Sequence, residues 1–439
     1  MQVPLVLFWF RRDLRFTDNA GLYHALTSGY PVLPLFIFDQ HILEQLPSAK
    51  DRRVTFIYQA LSGLKAESEA LGSSVLVRYG KPLEVLGELL QTYQVKAVYA
   101  NHDYEPAAMD RDQEVAAFLA AKGVSFNTYK DQVIFEKAEI VKDDGSPYRV
   151  FGAFKRKWLQ NVTASALEPF PSQHNLQHLY KTAPLPMFSL ESMGFELAEE
   201  TAFPASVLPE NLIRTYEQTR DLPSLPGTSR LGVHLRFGTI SVREMVKQAL
   251  QLNATWLGEL IWREFFMMIL FHFPHVVSRP FNLEYEHMQW HNNEELFARW
   301  CAGTTGYPIV DAGMRELKAT GFMHNRVRMI AASFLVKHLL IDYRWGEAYF
   351  AENLLDFELA SNNGNWQWCA GTGCDAAPYF RVFNPETQAK KFDKQQEYIR
   401  KWVPDVGTSA YPAPMVEHAF ARERALATYK QALTQARNR

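Results

Sequence analysis

With 439 residues, 47% of them hydrophobic and 21% charged, the chain has the composition of a soluble globular protein and is too long for one ordinary core, so two domains are expected. The formal net charge of −2 excludes a globally basic nucleic-acid binder, although a local basic patch remains compatible because phosphate contacts are local. No apolar run reaches transmembrane length, and the first residues carry their charge after the apolar run, the reverse of a signal peptide.

Val3 to Phe10 is an almost continuous apolar run, as expected of a strand buried on both faces. Similar runs recur at 32–38, 74–77, 97–100 and 124–127, with helical patterns at 53–71, 83–93 and 106–122 between them. Strands alternating with helices predict a parallel, Rossmann-like α/β domain over 1–128. Ligands on such sheets sit beyond the carboxyl ends of the strands, here Arg11–Asp13 and 101–105. No G-x-G-x-x-G follows the first strand, so a dinucleotide is not indicated there. From 129 to 200 the pattern loosens into a connector, and FKRKW at 154–158 reads as a solvated helix end. From 201 to 439 nearly everything reads helical: 256–273, 293–302, 311–318, 325–339, 345–355 and 417–437. The fold class expected is an α/β domain followed by a larger all-α domain. The three cysteines, Cys301, Cys369 and Cys374, lack metal spacing and cannot all pair, which predicts a reducing interior and no metal.

The helical half is organised around DFELASNNGNWQWCAGTGCDAAPYFRVFNP, from Asp356 to Pro385. Asn362, Asn363, Gly364 and Asn365 are poor helix formers, so this stretch is expected to be a loop that approaches a flat ligand. Gly227 to Leu231 places hydroxyls and a guanidinium just before a helical segment, a pattern suited to phosphate but also to a plain cap. Glu259 and Arg263 share a helical stripe beside Trp262; the plain reading is a surface ion pair.

The wording of these segments is more specific than their composition. NNG.WQW, TG.DA.PYFR.FNP, the N-terminal LVLFWFRRDLRFTDN, GTSRLGVHLRFGTIS, ELIWREFF and GFMHNRVRM occur in order along nearly the whole chain. Together they resemble the photolyase/cryptochrome family of flavoproteins, in particular its class I cyclobutane-dimer branch. The resemblance implies FAD, reduced and anionic in its active state. It places the diphosphate at Thr228, Ser229, Arg230, Leu231 and Gly232, where Gly232 replaces a serine usual in the family. Tyr216 and Trp256 align with further FAD contacts, and Asp356, Phe357 and Glu358 with the segment along the ribityl and adenine portions. Asn362 falls opposite the flavin N5, where an amide accepts from a protonated nitrogen or rotates to donate to a bare one. Arg328 and Asp356 correspond to an ion pair flanking the ring, a cation there favouring the anionic flavin.

The resemblance further implies a light-driven carbon–carbon lyase that splits pyrimidine dimers in DNA, with a blue-light signalling flavoprotein as the alternative. Trp262 and Trp368 would wall the cavity for the flipped dimer, and Glu259 would bond the pyrimidine edge. At Asn325 and Met329, (6-4) repair enzymes carry histidines; an amide and a thioether are no general acids, which suits cyclobutane dimers. His324 reads as a core histidine. Arg220, Arg263, Arg326, Arg381 and Gln388, with Lys390, Lys391 and Lys394, would face DNA. Electrons would reach the flavin through Trp366, Tyr343 and Trp290, with Tyr343 standing where the usual residue is Trp. Folate-using relatives supply an Asn and a Glu where this chain has Ala107 and Ala108. Methyl groups make no such bonds, so a deazaflavin or a second flavin such as FMN is expected as antenna rather than folate, an empty site being the other outcome. A cytoplasmic monomer, associated with the nucleoid in a bacterium, completes the expectation.

Overall fold

The computed structural model describes residues 3–198 and 201–438. Among them lie two compact units. They interleave along the chain rather than following the expected contiguous boundaries: residues 1–136, 160–208 and 230–251 form the first, and 137–159, 209–229 and 252–439 the second. The expected connector is thus divided between them.

The first unit is built on five parallel strands, β1 (Leu5–Phe10), β2 (Val32–Asp39), β3 (Leu76–Gly80), β4 (Val95–Asn101) and β5 (Ser125–Tyr129), in the order β3-β2-β1-β4-β5. β1 is central and buried throughout, which explains its unbroken apolar run. The polar residues at its end are not left open. Asn101 donates to Asn19 at 2.8 Å, and Arg12 donates to Asp103 at 3.1 Å and Glu105 at 2.9 Å. Arg236, from the 230–251 stretch, reaches Glu105 at 2.7 Å. Gly238 closes this stretch onto β1's end: at φ +64, a Cβ there would lie 2.1 Å from the Arg12 carbonyl oxygen.

The second unit is helical. Its centre is the Leu359–Ala370 helix, so the expected loop at 362–365 is a correction. Propensity loses here to tertiary bonding. Asn362 donates to the Glu347 carbonyl at 3.0 Å, Asn363 to the Val276 carbonyl at 2.9 Å, and Gln367 to the same Val276 oxygen at 3.0 Å. Gly364 is required by packing, since a Cβ would lie 2.1 Å from the Phe266 ring. A second correction concerns FKRKW. It lies in the Phe151–Asn161 helix with Phe154 and Trp158 fully buried, because Trp158 donates to the buried carboxylate of Glu264 at 2.6 Å. The predicted helix over 325–339 is α-helical only over Asn325–Ser333 and continues as a π-turn, Phe334–His338.

Candidate functional site

A cleft of about 560 Å³, open to solvent, lies in the second unit between the Asn325–Ser333 and Leu359–Ala370 helices. Asn325, Arg328, Met329, Asp356, Phe357, Glu358, Asn362 and Trp366 all line it, which brings together residues expected along the flavin, at the dimer pocket and in the electron route. Arg328 donates to both oxygens of Asp356, at 3.2 and 3.0 Å, and its Nε is fixed on the Met323 carbonyl at 2.7 Å. Asn362 uses its amide nitrogen on the Glu347 carbonyl. Its oxygen is the end left for a ligand, so the amide is set to accept a hydrogen bond rather than donate one. Glu358 also caps the central helix, its carboxylate accepting from the backbone N–H of Ala360 and Ser361. Asn325 and Met329, one turn apart, form a lip where Nδ2 lies 4.0 Å from Sδ. His324 is buried, and its Nδ1 accepts the Arg326 N–H at 3.2 Å, as a core histidine does.

A second cluster lies on the Ala254–His272 helix of the same unit. Glu259 pairs with Arg220 at 2.7 Å, and the Arg220 guanidinium sits over the Tyr216 ring at 5.6 Å. Burial raises the Glu259 carboxyl above the usual range, against the pull of Arg220 and of a hydrogen bond from Tyr216. Burial also raises the Tyr216 phenol, Glu259 adding to the effect. Trp262 is half-buried, and one face carries Phe151 at 3.6 Å and 9°. Phe151 was not foreseen, because it lies 111 positions away in the chain. Trp256 is buried in the same helix.

Two of the residues expected to face DNA are paired within the protein. Arg220 holds Glu259, and Arg326 holds Asp221 at 2.8 Å while covering Phe392 at 4.5 Å. Arg381, Lys390, Lys391 and Lys394 are exposed, Gln388 and Arg263 half-buried. Thr228 and Ser229 end a stretch of the second unit, whereas Arg230, Leu231 and Gly232 open a stretch of the first. Arg230 has a left-handed backbone, φ 55, and Gly232 starts a short helix as expected.

Trp366 and Trp368 point about 200° apart on their helix. Trp366 is buried and contacts the rings of Phe350 at 5.0 Å and Trp300 at 6.1 Å, while Trp368 is half-buried. Tyr343 is buried in the same core, and Trp290 packs against that core, half-buried, edge-on to Tyr429 at 6.2 Å. No group of metal-ligating side chains and no helix apolar enough to cross a membrane occurs among the described residues.

The α/β unit, the helical unit and a cleft joining an arginine–aspartate pair to an inward amide are the arrangement that the sequence resemblance implies. The comparisons agree. A family profile described as DNA photolyase matches residues 6–174, and one described as the FAD binding domain of DNA photolyase matches residues 256–410. A deoxyribodipyrimidine photo-lyase of Halobacterium salinarum is 39% identical over 97% of this chain and 99% of its own, and one of Synechococcus sp. is 36% identical over 97% and 96%. A bacterial class III photolyase from Agrobacterium tumefaciens superposes with a TM-score of 0.87 at 32% identity, covering 98% of each chain. An archaeal photolyase from Sulfolobus tokodaii, solved with two FAD molecules, gives 0.79 at 33% identity over 97% and 99%. A Synechocystis cryptochrome gives 0.85 at 25% identity over 98% and 99%. The chain belongs to the photolyase/cryptochrome family.

Proposed function

We propose that this protein repairs cyclobutane pyrimidine dimers in DNA, using blue light and reduced, anionic FAD. The observation that carries the reading is the cleft itself, where Arg328–Asp356 and the Asn362 oxygen converge beside a lip, Asn325 and Met329, that offers no acid. Its donor set fits a flavin. The Asn362 oxygen would accept from a protonated N5, and the Arg328 guanidinium would support negative charge on the ring. A reduced flavin held by Arg328, Asp356 and Asn362 would supply the light-driven electron that splits the dimer and would take it back afterwards.

The remaining work falls to the protein. Glu259, held by Arg220, bonds the edge of a flipped pyrimidine. Trp262, propped by Phe151, offers the remaining surface of its indole for stacking, worth roughly 1–3 kcal/mol per base. Exposed Arg381, Lys390, Lys391 and Lys394 contact phosphates, as do the half-buried Gln388 and Arg263. Arg220 and Arg326 act as struts for Glu259 and Asp221. Trp366, Tyr343 and Trp290 return the flavin to its reduced state. The first unit carries an antenna, a deazaflavin or a second flavin; the Sulfolobus relative with two FAD molecules favours the latter.

The test is repair of a dimer-containing oligonucleotide by the reduced protein, in light and in darkness. Light-only repair, lost in Trp262→Ala with FAD retained, is the expected result. No repair, with a light-driven flavin cycle intact, would favour a blue-light photoreceptor, the reading suggested by the Synechocystis cryptochrome.

A further inference from the structure

Tyr343 departs from the usual indole and changes the chemistry of its step. An indole passes on an electron and keeps its proton. A phenol in an apolar core does not, because its radical cation is strongly acidic and needs a base. Tyr343 is buried, and its hydroxyl has no hydrogen-bond partner among the described residues. Its helix, Tyr343–Asn353, meets the electron acceptor directly: a Cβ on Gly346 would lie 2.1 Å from the Trp366 indole. Tyr343 stands three residues earlier, on the same face, one turn away.

We propose that Glu347 is the base that takes the phenolic proton of Tyr343 when Trp366 draws its electron. The inference rests on the electron route proposed above. Glu347 follows Tyr343 by one helical turn, and it acts on the phenol more strongly than any other charged group. The other acid, Asp342, is committed: it caps the helix at the Arg344 N–H and holds the Arg344 guanidinium at 2.6 Å. Glu347 accepts from Asn363 at 3.0 Å through Oε1. Residues one turn apart have Cβ atoms about 5–6 Å from each other, a span closed by a side-chain rotation or one bridging water.

The charged surroundings are few. Arg344 and Asp342 come from the same helix and its cap. From the Leu359–Ala370 helix, the Asn363 amide reaches the Glu347 carboxylate and the Asn362 amide its backbone carbonyl. The π-turn packs Leu335 at Gly346, while its Lys337 and His338 bond Ala370 and His418. Burial pushes the Glu347 carboxyl up to about 7, so it is a carboxylate above neutrality and able to hold a proton once it receives one.

The step balances. The oxidised, cationic Trp366 indole takes one electron from Tyr343. The phenolic proton passes to the Glu347 carboxylate. Neutral Trp366, a neutral tyrosyl radical and a carboxylic acid remain. An external thiolate returns the electron and becomes a thiyl radical, and Glu347 returns the proton.

Flash photolysis of the FAD-loaded protein without DNA tests this, with optical and spin-resonance detection of the radicals. Wild type is expected to show a tyrosyl radical that forms more slowly in D2O, with a yield that falls as pH drops through about 7. Glu347→Gln keeps an oxygen for Asn363 but is no base; it should slow tyrosyl formation by roughly 10²-fold, while Glu347→Asp restores part of the rate. In a Tyr343→Trp background, Glu347→Gln should change nothing. Retained FAD and near-UV dichroism show that each variant is folded. Tyrosyl formation in Glu347→Gln at the wild-type rate and isotope ratio overturns the proposal. Unchanged flavin photoreduction in Trp366→Phe would instead bring down the electron route itself.

Discussion

Lys337 is an ammonium group placed in the core, and it makes stability depend on pH in a defined sense. The side chain is 1% exposed, and its Nζ donates to the Ala370 carbonyl at 2.8 Å and lies 3.6 Å from the centre of the Tyr429 ring. Ala370 is the last residue of the central helix, whose terminal carbonyls have no intrahelical donors. Tyr429 donates to the same oxygen at 2.7 Å, so that carbonyl stays satisfied without the lysine. No carboxylate pairs with Lys337 among the described residues, and burial lowers its pKa from 10.5 to about 7. Between pH 7 and 9 the unfolded chain therefore holds a proton that the folded protein has mostly released. Stability must rise with pH across that window, by about 2–3 kcal/mol from this group at 1.36 kcal/mol per unit. Below about pH 6 the cost is fully present and flat. From about pH 9 this gain is opposed: burial holds the Cys369 thiol at about 12, so the unfolded chain loses that proton first, while the lysine contribution itself continues until the unfolded side chain titrates near 10.5. Lys337→Met, similar in length, should remove the rise and cost about 1 kcal/mol for the lost hydrogen bond at every pH. Urea midpoints and slopes of both proteins at pH 7 and pH 9 measure the double difference. If wild type gains no more stability than Lys337→Met between these pH values, the buried-ammonium argument is wrong.

Arg328→Met should weaken FAD binding about 10- to 100-fold, the worth of a charge-assisted bond, because Asp356 then faces the cleft alone; titration of apoprotein with FAD measures it, and unchanged affinity would detach this pair from the cofactor. Gly346→Ala should cost about 1–3 kcal/mol in urea unfolding and shift the Trp366 fluorescence, since the new methyl group and the indole cannot share the space. Extraction of chromophores from native protein should yield no stoichiometric folate, because the Pro106–Ala121 helix begins with methyl groups at Ala107 and Ala108; methenyltetrahydrofolate at one equivalent would refute that inference.

Much of the architecture is legible in the chain itself. The apolar runs at 5–10 and 32–39 are strands because a parallel strand covered on both faces has no polar side to alternate. Likewise, Arg328 with Asp356 and Asn325 with Met329 could be assigned from motif wording, and the cleft does gather them. What the chain does not display is which poor helix formers will be rescued. Asn362, Asn363 and Gly364 are helical because Glu347, Val276 and Phe266 complete them from other helices. The same holds for charge. Arg220 and Arg326 look like solvent-facing cations in sequence, and only tertiary structure brings Glu259 and Asp221 to them. Local propensity and periodicity act over a few residues, so they determine strands and helices. Burial and pairing depend on groups far along the chain, which is why the loads on Lys337, Glu347 and Phe151 appear only in three dimensions.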